Sequence, residues 1–213
     1  LHRLIRRQRQ MCIRDRDSTV VICDRWIFLA GRLWWMLHYI GLENVKVLEG
    51  GIERWVKEGH SLATESTASP TEIGKLDYRL QPHMLMSRAE VLAASENGDH
   101  IIVDARAGER YDGSVIDTMD GMTGHIPTAV NYYWEDCFTA NGLKPEAELN
   151  EMFKDLKTTK TPIVTYCGSG ITACLAMLAM SEIGIESALY VGSSSDWVTY
   201  ETVSYTHLRA HET

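Results

Sequence analysis

Cys167 ends an apolar run, residues 162–165 and Tyr166, and is followed by Gly168-Ser169-Gly170-Ile171-Thr172-Ala173. Small residues let backbone N–H groups turn toward one point, and a helix starting at Ala173 adds partial positive charge there. An anion at that point is stabilised, and a thiolate is an anion. The chemistry this spacing suits is nucleophilic attack by sulfur at neutral pH. The plain alternative is a small buried hydrophobe closing a strand. Two glycines in the next three residues weigh against it, because they weaken an element without packing anything.

Alternating β and α patterns must position this loop. Residues 101–104 and 162–166 read as buried strands, 129–133 as another and 188–191 as the last. Ser87-Arg88-Ala89-Glu90 reads as a capping box opening a helix to about residue 95. Residues 145–156 have helical spacing, and a further helix covers 173–183. Such alternation predicts a parallel sheet wrapped by helices, with chemistry beyond the carboxyl ends of the strands, where Cys167 falls.

The chain also repeats itself. Slid by 143 residues, Val21-Ile22-Cys23-Asp24 lies on Val164-Thr165-Tyr166-Cys167, and Ala30 lies on Ala173. Ile40-Gly41-Leu42-Glu43 then lies on Ile183-Gly184-Ile185-Glu186, and a one-residue gap brings Trp55 onto Trp197. Two homologous α/β units explain this. In the first, residues 20–24 and 45–48 read as strands and 29–40 and 52–58 as helices, with Asp24 in the cysteine's place. Residues 62–74, rich in Ser, Thr, Ala and Glu, read as a linker.

The octapeptide Tyr166 to Ala173 resembles the active loop of the rhodanese superfamily of sulfurtransferases, in the form carried by its mercaptopyruvate branch. Val103-Asp104-Ala105-Arg106, Glu109-Arg110-Tyr111 and Gly124-His125-Ile126-Pro127 resemble further signatures of that family. The resemblance implies a rhodanese-like α/β domain, residues 75–202, with a central parallel sheet flanked by helices. It also implies the C-terminal part of a second, inactive rhodanese-like domain, residues 17–61. Cys167 would take a sulfur atom from a small anionic donor, mercaptopyruvate or thiosulfate, as a persulfide. A thiophilic acceptor (cyanide, a thiol or a thioredoxin-like protein) would then remove it.

Matched residue by residue, Arg110 is the arginine that holds the donor's anion, which suits a guanidinium's bidentate grip. The N–H groups of Gly168, Gly170, Ile171, Thr172 and Ala173 would surround the sulfur, and the Ser169 hydroxyl would aid the thiolate, the persulfide or the departing oxyanion. In the family this serine works with a histidine and an acidic residue of the N-terminal domain, expected upstream of residue 17. Arg106 reads as an ion-pair partner of Asp104, and His125 as part of a structural turn. No metal or organic cofactor is implied, because the cysteine carries the group. Two departures stand out. Met119 occupies the place of a second arginine, with Asp120 and Thr123 nearby but no cation. The family's G-S-W-x-E-W is here Gly192-Ser193-Ser194-Ser195-Asp196-Trp197.

The ends read differently from the rest. Residues 10–16 can be encoded by a DNA string whose reverse complement, in part, encodes residues 203–208, as in read-through of a transposase-type sequencing adapter. Residues 1–16 and 203–213 are therefore expected to be foreign tails, and the natural protein to continue past both ends. The first sixteen residues carry six Arg and one Asp and the last eleven one Arg and one Glu, so the rest has a net charge of −13 against −8 for the whole. That acidity excludes nucleic acid and anionic membrane as expected partners.

No run of about 18 apolar residues predicts a membrane span. Outside the expected foreign tails, four of the five cysteines remain (Cys23, Cys137, Cys167, Cys174), and without Cys-x-x-Cys spacing they fit a reducing, cytoplasmic setting, with a targeting peptide left open. Cys174 reads as core. Trp34-Trp35-Met36-Leu37 is expected to expose an apolar face. Two other functions compete. A cysteine phosphatase or arsenate reductase needs an arginine six residues after the cysteine, where Ala173 stands. A non-catalytic rhodanese-like binding module commonly lacks the cysteine or the loop glycines, and both are present.

Overall fold

The computed structural model describes residues 19–24, 27–63, 78–115, 118 and 121–200. They fall into two compact units, one up to Pro82 and the other from His83. The expected foreign tails, most of the expected linker, and Met119 with Asp120 lie outside the described residues.

In the first unit, β1 (Val20–Ile22) pairs in parallel with β2 (Val45–Val47), Val20 opposite Val45. Helix α1 (Ile27–Tyr39) connects them, and α2 (Gly51–Lys57) follows. Trp34 and Trp35 are buried, contrary to the expectation of an exposed tryptophan face. The solvent-facing stripe of α1 is instead Leu29, Leu33 and Met36, spaced as one helix face requires.

The second unit is built on a five-stranded parallel sheet, in the order β3 (Leu85–Met86), β9 (Ala188–Tyr190), β8 (Ile163–Tyr166), β4 (Ile101–Asp104), β5 (Val130–Asn131). All four residues of β8 are buried, as a strand covered on both faces must be. Helix α3 (Arg88–Asn97) opens on the expected capping box: the Ser87 hydroxyl accepts from the Glu90 N–H, and the Glu90 carboxylate accepts from the Ser87 N–H at 2.7 Å. Helix α4 (Gly108–Tyr111) follows β4.

The segment expected as one helix over 145–156 is two, α5 (Glu146–Met152) and α6 (Lys154–Thr158). Phe153 breaks it: its backbone leaves helical geometry at φ −101° and ψ 17°, and its fully buried ring stacks on Tyr132. A small antiparallel hairpin, β6 (Phe138–Thr139) and β7 (Gly142–Leu143), precedes α5. Helix α7 (Ala173–Glu182) is buried from Ala173 through Met180, which explains its lack of a polar stripe. Helix α8 (Ser193–Trp197) closes the unit and seats Trp197 in a core with Val91, Ile102, Val164, Tyr166 and Tyr190.

The repeat survives in three dimensions. Strand β2 and strand β9 sit 143 residues apart, each parallel to the strand before its own helix, and Gly41 and Gly184 end α1 and α7 at matching places.

Candidate active site

The site begins with β4 and β8, paired in parallel with Asp104 opposite Tyr166. Their carboxyl ends therefore lie side by side, and the Ala105 N–H donates to the Tyr166 carbonyl at 2.9 Å. Cys167 is the next residue beyond β8 and Arg110 lies on α4, six residues beyond β4. Both leave the same edge of the sheet from neighbouring strands. Cys167 is 1 % exposed and Arg110 is half-buried.

A buried polar network fixes that edge. Arg106 and Asp104, both fully buried, pair at 2.6 Å, and Arg106 also donates to the Gly124 carbonyl at 2.6 Å. The Tyr166 hydroxyl donates to Asp104 at 2.6 Å and accepts from the Ile126 N–H at 3.1 Å. Burial and the Asp104 charge push the Tyr166 phenol well above its ordinary range, so it stays a hydrogen-bond donor. Arg106 is thus an ion-pair partner of Asp104, tying the turn at Gly124 to the strand that delivers the cysteine. His125 is 5 % exposed, stacks on Tyr111 at 3.9 Å between ring centroids, and meets the Tyr111 carbonyl through Nδ1 at 2.8 Å. Its contacts are those of a turn.

From Cys167 the chain runs through Gly168 and an exposed Ser169 to a buried Gly170, then through half-buried Ile171 and Thr172 into α7. Gly170 sits at φ +73°, and a Cβ there would lie 2.4 Å from the Val191 carbonyl oxygen. Only glycine fits that close approach. Cys174 falls in the first turn of α7; its thiol donates to the Gly170 carbonyl at 3.5 Å, which makes it part of the loop's packing. The Cys174 and Leu175 N–H groups turn back onto the Ile171 and Thr172 carbonyls at 3.1 and 3.0 Å, and the dipole of this ten-residue helix favours a negative group at the loop.

The loop's other wall is the turn after β9, which the sequence presented only as a departure from the family pattern. The Cys167 N–H donates to the Ser193 hydroxyl at 3.2 Å, and that hydroxyl donates to the Tyr190 carbonyl at 3.0 Å. The Cys167 carbonyl accepts from the Ser194 N–H at 3.0 Å and from its hydroxyl at 2.9 Å. The Gly168 carbonyl accepts from the Ser195 N–H at 3.0 Å and the Ser194 hydroxyl at 3.3 Å. Ser193 and Ser194 are wholly buried. Asp196 accepts from the Tyr190 hydroxyl at 2.5 Å, anchoring α8 to the last strand.

Among the described residues, no group of three His, Cys, Asp or Glu side chains is placed to hold a metal ion, and no helix is long and apolar enough to cross a membrane. Cys23, Cys137, Cys167 and Cys174 are all free thiols. Cys137 is fully buried, and desolvation above all pushes its thiol up to about 12. It is an inert core residue.

Comparison with known proteins shows the family. The rhodanese-like domain profile matches residues 1–58 and 87–200. The 3-mercaptopyruvate sulfurtransferase of Escherichia coli (strain K12) is 32% identical over 188 residues, covering 86% of this chain and 66% of the relative. A thiosulfate/3-mercaptopyruvate sulfurtransferase 1, mitochondrial, of Arabidopsis thaliana is 31% identical over 213 residues, covering 88% of this chain and 55% of the relative. The crystal structure of SseA from Escherichia coli, a 3-mercaptopyruvate sulfotransferase, superposes with a TM-score of 0.70 at 31% identity, over 84% of this chain and 68% of that one. The chain thus spans 55% to 66% of the length of these curated relatives.

Proposed function

The chain belongs to the rhodanese family, and on that premise we propose that it is a sulfurtransferase working through a persulfide on Cys167. The observation that carries the reading is the placement of Cys167. It stands one residue past a buried central strand, in a glycine-bearing loop that runs into the N-terminus of α7. The Cys167 thiolate attacks the donor's sulfur, and a sulfur–sulfur bond forms. With mercaptopyruvate the carbon–sulfur bond breaks, and its electron pair leaves on carbon as the enolate that takes a proton to become pyruvate. With thiosulfate the sulfur–sulfur bond breaks and the pair leaves with sulfite.

Arg110 holds the donor's anionic end, and N–H groups from Gly168 to Ala173 stabilise the charge on sulfur. Ser169, exposed on the loop two residues after Cys167, assists the leaving oxyanion through its hydroxyl. A thiolate acceptor, free or on a thioredoxin-like protein, or cyanide then attacks the outer sulfur and releases Cys167. Mercaptopyruvate is the favoured donor, in keeping with the loop's resemblance. Thiosulfate is the second, since position 119 supplies no further cation for a carboxylate. The first unit, with Asp24 in the cysteine's place, is an inactive partner domain. A reducing compartment such as the cytoplasm suits the free thiols.

The test is thiocyanate production from cyanide with each donor in turn. Production lost in Cys167→Ser supports the reading. No production by folded protein with either donor overturns it and leaves the binding module.

A further inference from the structure

We propose that Ser193 and Ser194 are positioning residues for the Cys167 sulfur, holding the peptide units on either side of it so that the loop's later N–H groups face the persulfide; this rests on the sulfurtransferase reading above. The two units of the chain make the same turn with different residues. With the gap that brings Trp55 onto Trp197, Gly51 corresponds to Ser193 and Ile52 to Ser194. The backbone turn is shared: Gly51 has φ +57° and Ser193 has φ +55°. The strand-end contact is shared too, since the Ile52 N–H donates to the Asp24 carbonyl at 3.4 Å and the Ser194 N–H to the Cys167 carbonyl at 3.0 Å.

The first unit therefore makes this turn with no hydroxyl at all. At Gly51 a Cβ would stand 2.3 Å from the Asp24 carbonyl oxygen, so glycine is the natural occupant. The cysteine-bearing unit places a non-glycine residue in the left-handed region there, at a cost in backbone strain, and buries two hydroxyls completely. The Ser193 hydroxyl meets the Cys167 N–H and the end of β9, and the Ser194 hydroxyl meets the Cys167 and Gly168 carbonyls. Strain and buried polarity appear only where the cysteine does, and the turn itself needs neither. Their use is the cysteine loop.

The geometry says how. The Cys167 N–H is taken by the Ser193 hydroxyl, and the Cys167 and Gly168 carbonyls, held by the Ser194 and Ser195 N–H groups, gain the Ser194 hydroxyl as a second donor, which restrains the first two peptide planes of the loop. The N–H groups after them are then fixed in direction before any sulfur arrives, which is the preorganisation that anion stabilisation requires. Ser194 carries more of this than Ser193, because its hydroxyl spans two successive carbonyls. In the family pattern Ser193 matches the serine and a tryptophan stands at the place of Ser194, so the second hydroxyl is the feature particular to this chain.

The experiment is single-turnover loading of the full chain with 3-mercaptopyruvate at a series of concentrations, followed as mass gain on the Cys167 peptide, for the parent, Ser194→Ala, Ser194→Thr and Ser193→Ala. Iodoacetamide labelling of Cys137, a buried core thiol, is read in parallel. The expected result is a maximal loading rate about tenfold lower in Ser194→Ala, with the half-saturating donor concentration unchanged and Cys137 still protected. Ser194→Thr, which keeps the hydroxyl, should recover most of the rate. A Ser194→Ala plateau equal to the parent's overturns the proposal while leaving the sulfurtransferase reading intact. So does a slow variant in which Cys137 becomes labelled, because the serine then only supports the fold. A parent that never loads overturns both.

Discussion

Replacing Gly170 by alanine tests the loop geometry at its tightest point. The new Cβ would lie 2.4 Å from the Val191 carbonyl oxygen and 3.2 Å from the Val191 carbonyl carbon and Cα. Carbon–oxygen contacts ordinarily begin at roughly 3.3 Å, so the loop or β9 must move by about 1 Å. All the opposing atoms are backbone, which leaves no flexible side chain to yield. The left-handed φ of +73° adds about 1–2 kcal/mol of strain for any L-residue. A displacement of about 1 Å at a reacting group costs roughly 100-fold in rate.

Gly184→Ala is the matched control: it has φ +78° but nothing within 4 Å of its Cβ. The two variants should lose similar stability from the dihedral alone, with an additional loss at Gly170 from the overlap. Loading with mercaptopyruvate should fall roughly 100-fold in Gly170→Ala and stay parental in Gly184→Ala. Urea denaturation and single-turnover loading measure the two effects separately. If Gly170→Ala matches Gly184→Ala in both, the close approach to Val191 does not hold the loop, and the reasoning from packing to catalysis fails.

Other outcomes follow from the same contacts. Asp104→Asn removes the negative partner of the wholly buried Arg106, and should cost about 3–5 kcal/mol in urea denaturation because a buried charge is left uncompensated. Arg110→Ala should raise the half-saturating donor concentration by about tenfold to 100-fold, with Arg110→Lys recovering only part, since a point charge lacks the bidentate fork. In native protein iodoacetamide should label exposed Cys23, slowed because partial burial and the Asp24 charge push its thiol up, whereas Cys137, buried and with its thiol pushed up to about 12, should react only on unfolding. The Glu90 carboxyl is held below its ordinary range by hydrogen bonds from Ser87. The stability it adds is therefore present above the unfolded carboxyl's value and lost as pH falls through the lowered folded one. Comparing parent and Glu90→Gln by denaturation should show a gap at neutral pH that closes in acid, and a pH-independent gap would contradict the assignment.

The strands and helices that build the site were legible because their signals are strong and local. Residues 101–104 form a strand with the expected bounds, and the Ser87 capping box opens α3 as read. The repeat, visible as matched residues 143 apart, returns as paired strands at that spacing. Three features escaped. The two-residue strands β3, β6 and β7 are too short to show a period. The break at Phe153 follows from tertiary burial of one ring, which overrides a continuous helical pattern. Most instructive is the pair Ser193 and Ser194. Their types carry no signal alone, and only the fold brings residues 26 and 27 positions beyond Cys167 onto its backbone. The signal that could have found them was in the repeat, where glycine and isoleucine stand opposite two serines.

On this mechanism the transferred sulfur rides on Cys167, which intact-mass measurement after incubation with mercaptopyruvate or thiosulfate reads outright. A gain of about 32 Da is expected, mapped to the Cys167 peptide, removed by cyanide or dithiothreitol and absent in Cys167→Ser. A folded protein that gains no mass with either donor, or gains it equally in Cys167→Ser, would contradict it.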